Sequence, residues 1–323
     1  MQRKALYGLL LVGLLLAPLA GVYPLFVMKV LCFGLFAAAF NLLIGYTGLL
    51  SFGHAMFLST AGYLTGYTMQ SLNFTPELGV LTGTLAATLL GLVTGIFAIR
   101  RQGIYFAMVT LALAQMIYFI YLQAPFTHGE DGLQAVPRGK LFGLLSLSSD
   151  LVLYYVVLVV MALAFLFIVR VVHSPFGQVL AAIKENEPRA VSLGYDTDRF
   201  KLLAYVLSAG LAGLAGSLKV LVLGFETLGD AYWTMSGLVI LMTLVGGMGT
   251  LVGPLLGAAL IVSLEDRLGD IGGALASLTG VGWFNSLGES ATIVTGLIFI
   301  ACVLVFRRGI VGEIVARVKP LRV

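Results

Sequence analysis

The chain has 323 residues, of which 59% are hydrophobic and 11% are charged, and its mean hydropathy is +1.03. A soluble domain carries about 25% charged residues, so this composition excludes an ordinary soluble enzyme or nucleic-acid-binding domain. It indicates a polytopic membrane protein, in which the net charge of +4 reflects basic residues on the cytoplasmic side. Cys32 and Cys302 lie in apolar segments without metal-ligand spacing, so we expect no metal site.

Long apolar segments alternate with short polar connections in the first half of the chain. The first of them, about residues 5–22, is either an uncleaved transmembrane helix or a signal peptide, and we favour the helix because another apolar segment follows almost at once. Further spans are predicted at about residues 25–44, 78–99, directly after Arg101, and 151–172. We expect Lys29, one turn inside the second span, to snorkel to the outer interface.

A glycine-rich break interrupts residues 41–67. Gly45, Gly48 and Gly53 come before a new helix that follows His54. Glycines let the backbone leave the helix, and the freed N–H and C=O groups must then face protein or water. His54 could bind a substrate or sense pH, although a histidine in a helix bundle is more often simply hydrogen-bonded.

The longest charged interval between apolar segments is residues 174–200, which we call the polar loop. Ser174 as N-cap and Pro175 at the first helical position predict one short helix, and a second is predicted from Asn186 to Gly194. Two short helices that lie outside a membrane indicate a docking surface.

Small residues repeat at helical spacing in the seventh predicted span, about residues 202–223. They form two adjacent stripes, Ser208, Ala212, Gly216 and Ala209, Gly213, Ser217. Such stripes allow neighbouring backbones to approach closely, so we predict a packing role for this helix.

Residues 234–264 are again broken by glycine, and they form either one kinked crossing or two half-helices that return to the same side. If they return, 14 of the 19 lysines and arginines lie inside; if they cross once, 10 do. The positive-inside tendency favours the return. It also predicts a last span at about residues 291–306, a cytoplasmic N-terminus and a cytoplasmic tail, residues 307–323.

Several chemical signatures are missing from the sequence. It contains no phosphate-binding G-x-x-x-x-G-K-[ST] loop, no H-E-x-x-H and no set of residues spaced as a nucleophile with its base. We therefore expect no catalytic residue and no ATP hydrolysis by this chain. We also expect no acidic residue in mid-membrane, and hence no obvious carrier for proton or sodium coupling.

Two stretches carry a family resemblance: SPFGQVLAAIKENEPRAVSLGYDTDRFKLLAYVLSAGLAGLAGSL and LVGGMGTLVGPLLGA. They resemble ABC transporter permeases of the branched-chain amino acid importer family, the LivM type. The resemblance implies an all-α polytopic membrane protein with roughly eight transmembrane helices plus a glycine-broken segment, re-entrant or a pair of half-helices. It implies one permease domain over residues 1–323.

The resemblance also assigns roles to residues. The polar loop would be the cytoplasmic coupling loop that contacts an ATPase subunit, through Ala182, Glu185, Asn186, Glu187, Arg189, Ala190 and Gly194. The glycine-broken segments would line the pathway or contact the substrate, through Gly45, Thr47, Gly48, Ser51, Gly53, His54, Gly246, Gly247, Met248, Gly249 and Thr250.

The implied partners are a second homologous permease, two cytoplasmic ATPase subunits that hold ATP and Mg, an extracytoplasmic substrate-binding protein and membrane lipids. The implied location is the bacterial or archaeal cytoplasmic (inner) membrane, and the implied substrates are branched-chain amino acids. Urea, amides or other small organic acids stay open as substrates of the same family. An ion-coupled secondary transporter and a membrane-embedded enzyme are the alternatives from other classes.

Overall fold

The structure is a computed structural model, and it describes residues 12–18, 21, 23–279, 294, 296–297, 300 and 309–318. The predicted first span and last span lie mostly outside the described residues, whereas residues 309–318 of the predicted C-terminal tail are described. The described helices are α1 Pro24–Thr47, α2 His54–Ser71, α3 Pro76–Ala98, α4 Ile104–Gln123, α5 Asp150–Val172, α6 Pro175–Glu185, α7 Glu187–Ser192, α8 Thr197–Leu223, α9 Leu228–Ala231, α10 Trp233–Gly246, α11 Gly253–Thr279 and α12 Gly309–Val318.

The segment between α4 and α5 contains the remaining short elements. It has two 3₁₀ turns, Pro125–Thr127 and Gly129–Asp131, and a small antiparallel hairpin of β1 Lys140–Leu141 and β2 Leu145–Ser146. Lys140 is paired with Ser146 and Leu141 with Leu145. A separate antiparallel bridge joins Leu133 to Glu226, just beyond the end of α8.

Five described helices are long and apolar enough to cross a membrane: α1, α3, α4, α5 and α8. Their burial separates the centre of the bundle from its periphery. In the most apolar stretch, 83% of α1 and 72% of α8 is buried inside the protein, against 28% of α3 and 33% of α4. The chain therefore forms an all-α polytopic fold in which α1 and α8 are central and α3 and α4 expose apolar side chains such as Leu89 and Phe119.

Most predicted boundaries are confirmed within a few residues. Proline is the first residue of α1 and α3, a position at which the backbone N–H of any residue would have no partner within the helix. Glycines in the left-handed conformation follow the last residues of α1 (Gly48) and α8 (Gly224). One boundary was wrong: the seventh span begins at Thr197 rather than 202, because Asp196 caps it and accepts a hydrogen bond from Arg199 N. The end of the polar loop is therefore the first turn of α8.

The glycine-broken segment 234–264 consists of two helices, α10 and α11, which pack against each other and are joined by the turn at residues 247–252. They run in opposite directions at this turn, since Gly246 lies against both Gly253 and Gly257. The segment therefore returns instead of continuing in one direction. Lys29, near the start of α1, lies 2.6 Å from the carboxylate of Asp266 in α11, and both side chains are partly exposed.

Both small-residue stripes of α8 are buried as predicted, and α8 packs against α1, α2 and α3. The closest approach is at Gly216, where an added Cβ would lie 2.0 Å from the backbone oxygen of Leu58 in α2. At Gly213 an added Cβ would lie 2.4 Å from the Cβ of Ala87 in α3. The packing of this helix therefore depends on residues without a side chain at its contacts.

We predict opposite effects for two Gly→Ala substitutions. Gly216→Ala forces the α2 and α8 backbones apart and should destabilise the protein by about 1–3 kcal/mol, as overpacking does. Gly237→Ala in α10, where an added Cβ meets nothing within 4 Å, should be neutral or stabilise the helix by up to about 1 kcal/mol. The midpoint of thermal unfolding of each purified variant measures the difference. Equal shifts in the same direction would contradict the packing role of Gly216.

Candidate functional site: the polar loop and the glycine turns

The polar loop folds as its local signals predict. The side chain of Ser174 accepts a hydrogen bond from Gly177 N at the start of α6, and that of Asn186 accepts one from Arg189 N at the start of α7. Leu180 and Ile183 bury the inner face of α6. Gly194, at φ +89°, turns the chain after α7, a conformation that strains any residue with a Cβ.

The predicted ATPase-contact residues lie in different environments. Ala182, Glu185, Asn186, Arg189 and Gly194 are exposed, whereas Ala190 is only 2% exposed and packs inside the loop. Glu187 is half-buried: it pairs with Lys201 and accepts hydrogen bonds from Thr197 and Gln102, 3.3 Å each. Ala190 and Glu187 therefore hold the loop together, and the outer surface is formed by the other five.

The sequence analysis missed three apolar side chains on that outer surface. Val191, Leu193 and Tyr195 are 55%, 68% and 43% exposed. Their signal was available in the sequence, since these apolar residues lie at or directly after the end of the predicted second helix, next to charged residues. Apolar side chains at the end of a water-exposed loop are typical of a protein interface.

The two glycine-broken segments meet each other. The side chain of Asn41 in α1 donates from Nδ2 to the backbone oxygen of Thr250, 2.9 Å, and accepts at Oδ1 from Gly249 N, 2.9 Å. Gly45 lies one turn further along α1, where an added Cβ would meet Asn41 Oδ1 at 2.4 Å and Gly249 N at 2.9 Å. Residue 45 must be glycine because the backbone of the α10–α11 turn passes too close to it for a side chain.

The polar loop reaches the same place. Lys184 in α6 donates from Nζ to the backbone oxygen of Gly45, 2.7 Å, and its stem lies against Gly48. The carbonyl of Gly45 lies in the last turn of α1, where backbone oxygens have no hydrogen-bond partner within the helix, so it can accept this bond. The loop, the end of α1 and the α10–α11 turn therefore share one cluster, which we call the glycine-turn cluster: Asn41, Gly45, Gly48, Lys184, Gly249 and Thr250.

The remaining glycines of the second segment make close contacts. An added Cβ at Gly246 would lie 1.9 Å from Gly253 O, which is a contact between helix backbones. Gly247 has φ +121°, and an added Cβ at Gly309, where α12 begins, would lie 2.4 Å from Gly247 Cα. Met248 is 43% exposed beside them. The first residue of α12 thus lies beside the α10–α11 turn.

The other candidates of the first segment are buried. Thr47 bonds to Leu43 O, and Ser51 accepts from Gly53 N, 3.2 Å. His54 Nε2 lies 2.8 Å from Ser208 Oγ, and its ring packs edge-on against Phe40. His54 is 0% exposed, so in this conformation it contacts the core rather than an open pathway.

An ionic cluster lies at the opposite end of α8, and its two acids lie in the connection that follows the helix, not within a membrane-spanning helix. Lys219 lies 2.5 Å from Asp230 and 3.3 Å from Glu226, and these three side chains are at most 8% exposed. The sequence analysis missed it because Glu226 and Asp230 lie in a connection between helices, which resembles a solvated turn. We call these three residues the outer triad.

The sequence of this chain is similar to those of known membrane transport proteins. The family model described as branched-chain amino acid transport system / permease component matches residues 24–306. The chain belongs to this family of ABC transporter permeases. No solved structure matches the permease.

Curated proteins of similar sequence include permeases of branched-chain amino acid transport. The permease is 29% identical over 257 residues to the high-affinity branched-chain amino acid transport system permease protein LivM of Escherichia coli K12, and 30% identical over 257 residues to LivM of Salmonella typhimurium LT2. Each alignment covers 71% of this chain and 60% of the relative, so the chain spans about 60% of the length of these relatives. It is also 29% identical over 210 residues to the ribose import permease protein RbsC of Bacillus subtilis 168, covering 61% of this chain and 58% of RbsC.

We predict that Asn41→Leu weakens the glycine-turn cluster. It removes both side-chain hydrogen bonds and leaves Gly249 N–H and Thr250 C=O without them, which should cost about 1–3 kcal/mol. Thermal unfolding of the purified permease measures this loss. Gln123→Leu, the same kind of exchange at an exposed site at the end of α4, is the matched control and should leave the midpoint unchanged. An unchanged midpoint for Asn41→Leu would show that the cluster contributes nothing to stability.

Proposed function

We propose that this chain is the permease subunit of an ATP-driven importer of branched-chain amino acids. The observation that carries the proposal is the family match over residues 24–306, and the two LivM relatives support the substrate class. Another relative is named a ribose import permease, so the substrate needs its own test.

In this proposal, the energy comes from partner proteins. Two ATPase subunits hold ATP and Mg, a second homologous permease completes the membrane unit, and an extracytoplasmic binding protein delivers the amino acid. The exposed Val191, Leu193 and Tyr195, flanked by Arg189, support a contact of the polar loop with an ATPase subunit. Interface centres combine apolar and aromatic side chains with arginine in this way.

Movement of the polar loop would be passed to the membrane helices through the glycine-turn cluster. Lys184 joins α6 to the end of α1, and Asn41 joins α1 to the α10–α11 turn. A displacement of the loop by its partner would therefore change the end of α1 and the α10–α11 turn together. Such coupling needs a contiguous set of contacts with two arrangements, and these hydrogen bonds supply the contiguous set.

The same contacts support a cytoplasmic position for both the polar loop and the tail. The α10–α11 turn contacts the start of α12 at Gly309 and, through Asn41 and Gly45, the Lys184 of the loop. The positive-inside count then assigns this end of the bundle to the cytoplasm of a bacterial or archaeal inner membrane. The N-terminus would lie on the same side.

We predict that Leu193→Asp abolishes import without affecting folding. In the reconstituted complex, uptake of labelled leucine should fall at least about tenfold, because losing a side chain at the centre of an interface can cost about 2 kcal/mol. The amount of permease in the membrane should be unchanged, since Leu193 is mostly exposed. Excess unlabelled leucine should compete for uptake and ribose should not.

Gln178→Asp, at an exposed position of α6 in the same loop, adds the same charge without removing an apolar side chain and is the matched control. Ala190→Arg is a poorer test because Ala190 is buried, so its loss of function would mix misfolding with lost docking. Normal leucine uptake by Leu193→Asp would contradict the assigned docking surface. Competition by ribose alone would contradict the substrate class but leave the permease family intact.

We also predict that the glycine-broken segments line the pathway when it opens. In a Cys32→Ala, Cys302→Ala background, Ser51→Cys and Thr250→Cys should react with a small polar thiol reagent in only part of the ATPase cycle, because Ser51 is fully buried and Thr250 half-buried in this conformation. Met116→Cys, exposed on an apolar helix face towards lipid, is the control and should stay unlabelled. Equal labelling rates with and without ATP would mean that these segments serve packing alone.

A further inference from the structure

The outer triad has an unequal number of charges. One lysine faces two acids, and the three side chains are 5%, 0% and 8% exposed. If all three were ionised, the protein would bury one uncompensated negative charge. Isolated buried charges are so costly that such groups usually shift their pKa and become neutral.

The hydrogen bonds show which of the two acids is less well partnered. Asp230 lies 2.5 Å from Lys219 and also accepts from the backbone N–H and the hydroxyl of Thr227. Glu226 has only the longer contact to Lys219, 3.3 Å to Oε2. Its second oxygen, Oε1, is buried without a hydrogen-bond partner among the described residues.

Within the part of the chain that the structure describes, Lys219 is the one cation that contacts Glu226. The carboxyl group lies against Gly62 of α2, where an added Cβ would be 2.5 Å from Cδ. The other titratable groups on this side are the phenols of Tyr63 in α2 and of Tyr118 and Tyr121 in α4, and Cys32 of α1 lies near Lys219. Arg138 is occupied by Asp150 and the backbone oxygen of Val222.

The chain also closes over this group. Leu133 and Glu226 exchange both backbone hydrogen bonds, 3.0 and 2.9 Å, so the segment after α4 covers the connection after α8. Burial raises the pKa of Glu226 well above its usual range, with Asp230 adding to the shift and Lys219 opposing it.

We propose that Glu226 is a proton-binding site, with its carboxyl group neutral while the outer end of the bundle is closed. The proton resides on Oε1, and Lys219 and Asp230 then form a one-to-one ion pair. The cluster carries no net charge in this form. Separation of the Leu133 segment would hydrate Glu226 and favour its ionised form, so protonation stabilises the closed outer end.

Infrared difference spectroscopy of the permease in lipid nanodiscs tests the protonation directly. The spectrum of the wild type minus that of Glu226→Gln should contain the C=O stretch of a protonated carboxylic acid at neutral pH. Asp266→Asn, which removes another acid of the same end that is about one-third exposed, is the control, and its spectrum should retain that band. A difference spectrum with only carboxylate bands would overturn the proposal, whatever the stability of the variant.

The pH dependence of stability provides a second measurement on the wild type. Because the pKa of Glu226 in the folded protein lies above its ordinary value of 4.5, the folded protein binds more protons than the unfolded chain, so stability falls as pH rises from 4.5 to the raised pKa. Glu226→Gln should flatten this slope, and Asp266→Asn should retain it. An equal slope in wild type and Glu226→Gln would overturn the proposal. It would also be overturned if sodium, compared with choline, stabilised the wild type but not Glu226→Gln, because a bound metal cation would then take the place of the proton.

Discussion

Within a membrane, every backbone group that leaves a helix must find a protein partner, and this constraint decides where the chain can be broken. The end of α1 and the α10–α11 turn meet it together. Asn41 satisfies one donor and one acceptor of the turn, and Lys184 satisfies the carbonyl of Gly45. Neither break is satisfied by its own segment alone, so the two halves of the chain and the polar loop are joined where their helices end.

The glycines of these breaks have two separate reasons to be glycine. Gly48 and Gly247 have positive φ angles, and only a residue without a Cβ adopts them without strain. Gly45 and Gly246 are within helices and lie where another backbone passes too close for a side chain. One glycine-rich sequence thus combines turn formation with close packing, and a pathway at these segments would open by separating backbones rather than by rotating side chains.

Local signals made much of the fold predictable. Ser174, Asn186 and Asp196 act within three residues of themselves, so the helices of the polar loop could be identified from the sequence. The return of residues 234–264 was predicted from the distribution of charge. Contacts between distant residues could not be predicted: Lys184 meets Gly45 across 139 positions, and Lys29 meets Asp266 across 237. The burial of Glu226 depends on the pairing with Leu133, which no local pattern of residues indicates.

The two ends of the bundle are held together by different kinds of contact. At the polar loop, neutral backbone groups are joined by the amide of Asn41 and by Lys184, so separating them leaves backbone dipoles, not a buried ion pair, without partners. At the outer end, buried ionisable groups are joined, and separating them exposes charges whose hydration differs strongly between open and closed forms. Separation of the loop end therefore exposes less buried charge than separation of the outer end. At the outer end, a neutral Glu226 lowers the charge that must be kept from water while that end is shut.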